Sequence, residues 1–213
     1  GLISMNRFLG PESKFYAVLS LFADLVIVNV LLVITCFPVV TGGMSLRTAH
    51  EVLGEMVREE GSRRGSVFVR RILTRPAPNT AWWLLCLLLV GLAAYEFAVI
   101  AQADMGSMGL VLRAALISGL IVLGCVSVWF FHLDSAGLSF TQRCAQAMTR
   151  AVAHLPRTVL AILPAALMIL FPFFAPGQWG SYLFFLTAVG PALAIYLAEL
   201  ALQWPELSSS GGA

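Results

Sequence analysis

Two polar side chains interrupt the first long apolar segment, and their types make them the first candidates for chemistry. Asp24 lies near the middle of the apolar run 15–37, and Asn29 follows five residues later. A carboxylate in such a segment either binds an ion or proton, or makes a polar contact that fixes helix packing. We find no ionisable partner at matching depth in the later apolar segments. That favours the packing contact and leaves the ion site as the alternative.

Glu96 and Arg113 form a second candidate pair, on either side of the short connection 104–108. Because neighbouring helices joined by a short connection are antiparallel, these two residues are expected at matching depths. The sequence therefore predicts an ion pair between them. The alternative is that Arg113 extends towards the lipid headgroups while Glu96 faces a watery crevice.

Motifs for catalysis and for metal or nucleotide binding are absent from the sequence. It contains no HExxH, GxSxG, GxxxxGK[ST] or GxGxxG pattern. His132 and Asp134 alone are too unspecific to indicate a metal site. The cysteines have no metal-binding spacing and are interpreted as small apolar filler: Cys36, Cys86, Cys125 and Cys144. We therefore expect a protein that is not an enzyme, with no catalytic residue, cofactor or metal.

The composition identifies the kind of molecule that must position these residues. Of 213 residues, 59% are hydrophobic and 11% are charged, and the mean hydropathy is +0.88. Soluble domains contain roughly 45–50% apolar and about 25% charged residues. Disordered chains and nucleic-acid-binding proteins need more charge still. The composition predicts an all-α fold, a polytopic membrane helical bundle with the lipid bilayer as its main partner and no nucleic-acid partner.

Apolar segments of about 20 residues are long enough to cross a bilayer as helices. Pro38 closes the first such segment, and turn-forming residues at 175–180 divide the last one in two. The predicted transmembrane spans are 15–37, 80–103, 109–131, 158–174 and 181–202.

These spans are predicted to form one transmembrane domain, residues 5–205, followed by a flexible tail, 206–213. Pro164 and Pro172 predict that the fourth span is the one most prone to a kink.

Arginines are concentrated in two connections that a five-span arrangement places on the same side of the membrane. They are Arg47, Arg58, Arg63, Arg64, Arg70, Arg71 and Arg75 in the first, and Arg143, Arg150 and Arg157 in the second. Cytoplasmic connections are enriched in arginine and lysine. The N-terminus is therefore expected outside and the C-terminus in the cytoplasm, although Arg7 and Lys14 oppose this orientation.

Both arginine-rich connections have helical patterns. In the first, Ala49, Val52 and Leu53 begin an apolar face, whereas His50 and Glu51 fall on the opposite face. A basic surface follows, suited to anionic lipid headgroups or a protein partner: Arg63, Arg64, Arg70, Arg71 and Arg75. The alternative is that these arginines only set the topology. We expect two short amphipathic helices that project from one face, either as a docking surface or as packed connectors.

The end of the first span contains the most specific sequence motif in the chain. Residues 23–25, 29–31 and 37–43, with later blocks at 65–68 and 153–158, resemble the YesL-like family of bacterial integral membrane proteins of unknown function. The block at 74–76, Thr-Arg-Pro, departs from that family's usual pattern. The resemblance covers roughly residues 5–205.

The resemblance implies a bacterial cytoplasmic-membrane protein whose relatives are often encoded beside carbohydrate ABC importers, and it implies no catalytic residues. Within its motif, Pro38 is expected to end the first helix, and the turn Thr41-Gly42-Gly43 to return the chain to the membrane interface. Asp24 and Asn29 are expected to make inward-facing contacts.

Two functions follow as the main hypotheses. The first is a non-enzymatic accessory or regulatory protein of a carbohydrate ABC importer, with importer subunits as partners. The second is a small oligomeric transporter or channel that uses the polar first helix. The odd number of spans and the lack of an internal repeat count against transport. A membrane enzyme is the weakest hypothesis because catalytic clusters are missing.

Overall fold

The computed structural model describes residues 11–72, 78–133 and 137–210, and throughout these ranges the regular structure is helical, with no strand. The helices are α1 (Pro11–Cys36), α2 (Gly42–Val57), α3 (Arg64–Ile72), α4 (Pro78–Gln102), α5 (Ser107–His132), α6 (Phe140–Ala153), α7 (Leu155–Phe174), α8 (Trp179–Ala188) and α9 (Gly190–Ser210). Single 3-10 turns, Val39–Thr41 and Pro176–Gln178, precede α2 and α8.

Four of these helices are long and apolar enough to cross a membrane: α1 from Lys14 onward, α4 from Asn79 onward, α5 and α7. Helices α8 and α9 meet the same criteria of length and apolarity only when taken together, and they are bent by 60° where they join. The expected all-helical fold is thus confirmed for the described residues, and four of its helices, or five spans if the bent pair is one, are long and apolar enough to cross a membrane. Lipid favours helices because every backbone polar group must be satisfied within the protein.

The last predicted span, 181–202, is wrong as a continuous helix. The structure breaks it at Val189, directly before Gly190 and Pro191. A proline has no backbone N–H and its ring crowds the preceding turn, so the helix stops and restarts in a new direction. The fourth predicted span, in contrast, is one helix, α7, that continues through both Pro164 and Pro172.

The predicted flexible tail is corrected at its start. Helix α9 passes through Pro205 and continues to Ser210, so residues 206–210 are helical. Residues 211–213 lie outside the described residues, as do Arg7, Arg75 and Asp134.

Helix α2 is the central element of one end of the bundle, which we call the connector end. There α1 and α5 end, α4 and α7 begin, and α2, α3 and α6 lie. Helix α2 packs against α1, α3, α4, α5 and α9. Its apolar residues Ala49, Val52 and Leu53 are fully buried. His50, on the face expected to be polar, is buried as well, and so is Arg47. Of the two alternatives expected for α2, a docking surface or a packed connector, the structure shows the packed connector, because other helices cover both of its faces.

The junction between α1 and α2 is held by Thr41. Its single hydroxyl hydrogen is shared between two acceptors, the carbonyl of Pro38 at 2.8 Å and the carbonyl of Thr35. Pro38 stands just beyond α1, as predicted, in extended conformation.

The two glycines after Thr41 allow α2 to approach α4 closely. Gly42 has ordinary helical dihedral angles, φ −58° and ψ −39°, so it needs no glycine-specific conformation. A Cβ on Gly42 would lie 2.5 Å from the Trp83 ring, and one on Gly43 would overlap the backbone carbonyl of Asn79. The expectation that these glycines serve a turn is corrected. A side chain is excluded at both positions because α2 packs closely against α4.

Candidate functional site

A buried carboxylate joins three helices at the connector end. Glu199 of α9 is only 1% exposed. Its Oε1 lies 2.8 Å from Nδ1 of His50, and its Oε2 lies 2.7 Å from Nδ1 of His132 and 2.8 Å from Nε2 of Gln203. Arg58 donates to the side-chain carbonyl of Gln203 at 3.0 Å. We refer to these five residues as the Glu199 cluster.

The hydrogen bonds define how protons are arranged around the carboxylate. An ionised carboxylate only accepts hydrogen bonds, so His50 and His132 must each donate their Nδ1–H to Glu199. Burial lowers the pKa of His50, although the hydrogen bond and the charge of Glu199 oppose this shift. His50 is therefore neutral at neutral pH. The carboxylate receives three donors from the protein, which satisfy a charge that would otherwise be costly to bury.

Close packing around the cluster attaches α2 firmly to α5 and α9. The buried Arg47 donates to the backbone carbonyl of Phe131 at 3.0 Å, and the His50 ring stacks on the Phe131 ring with centroids 6.1 Å apart. A Cβ on Gly54 would lie 3.0 Å from Oε2 of Glu199. A side chain at position 54 would therefore crowd the carboxylate.

The cluster can hold or relay a proton, but its geometry does not suit a metal ion. Among the residues that the structure describes, no group of three or more His, Cys, Asp and Glu side chains is placed to hold a metal. The Nδ1 atoms of both histidines are already directed at one carboxylate. His132, considered with Asp134 as a weak metal motif in the sequence, instead serves as a hydrogen-bond donor.

The sequence did not indicate that the residues of the Glu199 cluster form one site. His50 was expected on the face of α2 opposite its apolar residues, and no sequence pattern joined it to Glu199. One signal was available, because Glu199 and Gln203 are four residues apart in an otherwise apolar segment and so share a helix face.

Asn29 occupies a second polar site, at the break between α8 and α9. It is fully buried, and its Nδ2 donates to the carbonyls of Leu186 at 3.0 Å and Thr187 at 2.8 Å. Its Oδ1 accepts the backbone N–H of Ala192 at 2.9 Å. Asn29 therefore makes the inward-facing helix contact expected of it. Asp24, on the same helix, is half-buried and makes no hydrogen bond or ion pair with any described residue.

Glu96 and Arg113 are not joined in the structure. Both side chains are exposed, and no ion pair connects these two described residues. The predicted pair within the hairpin is therefore wrong as an observed contact. Helices α4 and α5 touch elsewhere, for example where Gly109 faces Ile100.

The predicted basic surface is partly used to attach α3 to α2. Nη1 of Arg71 lies 3.0 Å from Glu51 and 2.7 Å from Glu55, and Arg64 lies 3.9 Å from Glu55. Arg63 and Arg70 are exposed.

An apolar cavity of about 600 Å³ lies between α7, α8 and α9. Tyr182 is in its wall, and the hydroxyl of Tyr182 donates to the carbonyl of Met168 at 2.8 Å. The main lining side chains are Met168, Phe171, Tyr182, Phe185, Leu193 and Leu197. The lining favours an apolar occupant over an ion.

Comparisons with known proteins yield no relative. No family model, no curated protein and no solved structure matches the chain. The resemblance to the YesL-like family stays a prediction.

Proposed function

We propose that the chain is a non-enzymatic accessory or regulatory protein of the bacterial cytoplasmic membrane that acts with a carbohydrate ABC importer. The importer and the bacterial membrane are inferred from the YesL-like resemblance of the sequence. The Glu199 cluster is the observation that carries the regulatory role. It links α2, a connecting helix, to α5 and α9, which belong to the membrane bundle.

The enclosure of Glu199 favours a mechanical link over a transport site. A transported ion or proton must exchange with water on both sides of the membrane. Glu199 is 1% exposed and is satisfied by His50, His132 and Gln203. Separating either histidine, His50 of α2 or His132 of α5, from Glu199 would leave a buried charge under-solvated, so α2, α5 and α9 are constrained to move together.

The cluster also connects to the surface through α3. Arg71 and Arg64 attach α3 to Glu51 and Glu55 of α2, and His50 on the same α2 contacts Glu199. A partner or an anionic lipid that displaces α3 would therefore act on α9 through α2. The exposed Arg63 and Arg70 provide positive charge for such an interaction.

The proposed topology has five spans, with the bent pair α8–α9 as the fifth, the connector end in the cytoplasm and the N-terminus outside. Single cysteines at positions 63, 143 and 178, on a background without other cysteines, test it. Arg63→Cys and Arg143→Cys should react only with reagents that enter the cytoplasm, whereas Gln178→Cys should be labelled on intact cells. Labelling of position 63 from outside would refute this orientation.

The importer association is tested by purification of the tagged chain from its native membranes after mild cross-linking. Permease or ATPase subunits of a carbohydrate importer should be recovered with the wild-type chain. Recovery should fall with Arg63→Glu/Arg70→Glu and persist with Arg150→Glu, a charge reversal on the exposed side of α6. Absence of importer subunits, together with unchanged sugar uptake in a strain lacking the gene, would contradict the proposal.

A small oligomeric transporter is the second candidate, favoured by the break at Val189 beside the 600 Å³ cavity. Broken helices often mark substrate sites in transporters. Here Asn29 already hydrogen-bonds the backbone groups that the helix break leaves without partners, and the cavity is apolar. Flux in liposomes that Asp24→Asn abolishes without loss of folding would favour this candidate over the accessory role.

A further inference from the structure

The cavity of about 600 Å³ between α7, α8 and α9 lies where α8 bends away from α9 by 60°. Hydrogen bonds fix α8 there in its first and last turns. The hydroxyl of Tyr182 donates to the carbonyl of Met168, which lacks its usual helical donor because residue 172 is Pro172. Asn29 of α1 donates to the last turn of α8. Moving α8 to close the cavity would break these hydrogen bonds, so the space between the helices stays open.

The depth of the cavity corresponds to one leaflet of a bilayer. On α7 the lining extends from Phe171 inward to Pro164. Pro164 lies ten residues before the end of α7 at Phe174, which is about 15 Å at 1.5 Å per residue. The hydrocarbon core of a bilayer is about 30 Å thick, so this distance is half of it. Trp179, which is 53% exposed, follows the end of α7, a position typical of tryptophan at a membrane interface.

The free polar side chains of the cavity lie at its interface end. Gln178 and Ser181, at the start of α8, are exposed, and neither side chain hydrogen-bonds a described residue. The rest of the described lining has no charged side chain, and its one hydroxyl, of Tyr182, is already bonded to Met168. A buried water needs about two to four polar partners. The deep part of the cavity therefore favours hydrocarbon over water or an ion.

The volume of the cavity is suited to a small molecule and is too small for a helix of another protein. A helix with its side chains is about 10–12 Å across, so two turns of it occupy roughly 1,000 Å³. Small-molecule sites measure about 300–1,000 Å³ and are mostly apolar, with a few polar groups that fix orientation. Leu167, in the wall, is 61% exposed, so the cavity also opens sideways, where a lipid chain can enter.

We propose that this cavity binds one acyl chain of a membrane phospholipid, while Gln178 and Ser181 donate hydrogen bonds to the ester or phosphate oxygens of the same lipid. The chain reaches from the interface to about the bilayer centre, which is the depth of the cavity. Its hydrocarbon fills the space that α8 leaves beside α7 and α9. The proposal rests on the membrane location of α7 and does not depend on the importer association.

Native mass spectrometry of the full chain, released from nanodiscs of phosphatidylethanolamine and phosphatidylglycerol, tests the site. The wild type should retain one phospholipid through mild detergent washing. Ala194 is a buried residue of the wall, only 7% exposed. Ala194→Phe places a ring in the cavity and should lower the retained fraction about tenfold. Ala115→Phe is the matched control, because it makes the same change at an exposed residue of α5 and should leave retention unchanged.

Melting temperatures separate loss of the site from loss of the fold. After delipidation, added phospholipid should raise the melting temperature of the wild type and of Ala115→Phe. It should not raise that of Ala194→Phe, whose own ring fills the cavity. If Ala194→Phe does not fold, Ala194→Leu gives the same comparison with a smaller side chain.

Two further measurements locate the lipid. The double variant Gln178→Leu/Ser181→Ala should bind phospholipid about tenfold more weakly than the wild type. A phospholipid with a photoreactive group near the end of its acyl chain should label the peptides that contain Met168 and Leu193. Absence of retained phospholipid, recovery of a free fatty acid instead, equal retention by Ala194→Phe and Ala115→Phe, unchanged affinity of the double variant, or labelling confined to other surfaces would each overturn the proposal.

Discussion

Asn29 donates to the carbonyl of Thr187 the hydrogen bond that the backbone of α8 and α9 cannot provide. In an unbroken helix, the carbonyl of Thr187 would accept the N–H of residue 191, but that residue is Pro191. The Nδ2 of Asn29 donates to this carbonyl at 2.8 Å, and Oδ1 accepts the N–H of Ala192. A buried break in the backbone is thus satisfied by one side chain from α1.

Replacement of Asn29 should therefore destabilise the chain in a way that depends on Pro191. Asn29→Leu leaves buried carbonyls unsatisfied and should lower the free energy of unfolding by about 1–3 kcal/mol. The loss should be smaller in a Pro191→Ala background, because residue 191 can then donate to Thr187. Denaturant unfolding in bicelles gives the double-mutant cycle. Equal losses in both backgrounds would show that Asn29 does not act through this carbonyl.

Substitution of Glu199 should lower the stability of the chain more than substitution of an exposed acidic residue. Glu199→Gln replaces one acceptor oxygen by an NH₂ group that faces a histidine donor, so we expect a loss of about 2–3 kcal/mol, typical of a charge-assisted hydrogen bond. Glu206→Gln, on the exposed side of the same helix, should change stability by less than about 0.5 kcal/mol. Thermal unfolding in detergent measures both. A Glu199→Gln protein as stable as Glu206→Gln would refute the structural role.

Stability should fall as the pH is lowered below neutrality, because of His50. Burial lowers the pKa of His50 in the folded chain, against the opposing effect of Glu199 and with smaller contributions from His132 and Arg47. An unfolded histidine has a pKa of about 6.5, so below that pH the unfolded state binds more protons. Melting temperatures should therefore drop between about pH 7.5 and pH 5.5. His50→Gln should have a flatter profile, and an unchanged profile would exclude His50 as the cause.

Because α2 lies close to α4, replacement of glycine by alanine should lower stability at the contact between these helices and not elsewhere. Gly43→Ala should destabilise the chain by about 1–3 kcal/mol, since the added Cβ would overlap the Asn79 carbonyl. Gly91→Ala on α4 is the matched control, because nothing lies within 4 Å of its Cβ position. Alanine at position 91 should be neutral or stabilising by about 0.5–1 kcal/mol. Similar melting temperatures for both variants would mean that the glycine contact is not tight.

The sequence alone determined the all-helical class and the approximate bounds of the helices that are long and apolar enough to cross a membrane. The predicted segments 80–103 and 109–131 agree within two residues with Asn79–Gln102 and Ser107–His132. This agreement has a local cause: a long apolar run must satisfy its backbone internally, and a helix does so within the segment. The break at Val189 also had a local signal, Gly190-Pro191, that the hydropathy of the run concealed.

Only the tertiary structure decided which polar groups meet. His50 and Glu199 are 149 residues apart, and no sequence period relates them. Glu96 and Arg113 have matching depths, yet no ion pair joins them. Depth follows from counting residues along a helix, whereas pairing also depends on how each helix is rotated about its axis. That rotation results from many packing contacts at once, such as Gly43 against Asn79 and Gly54 against Glu199.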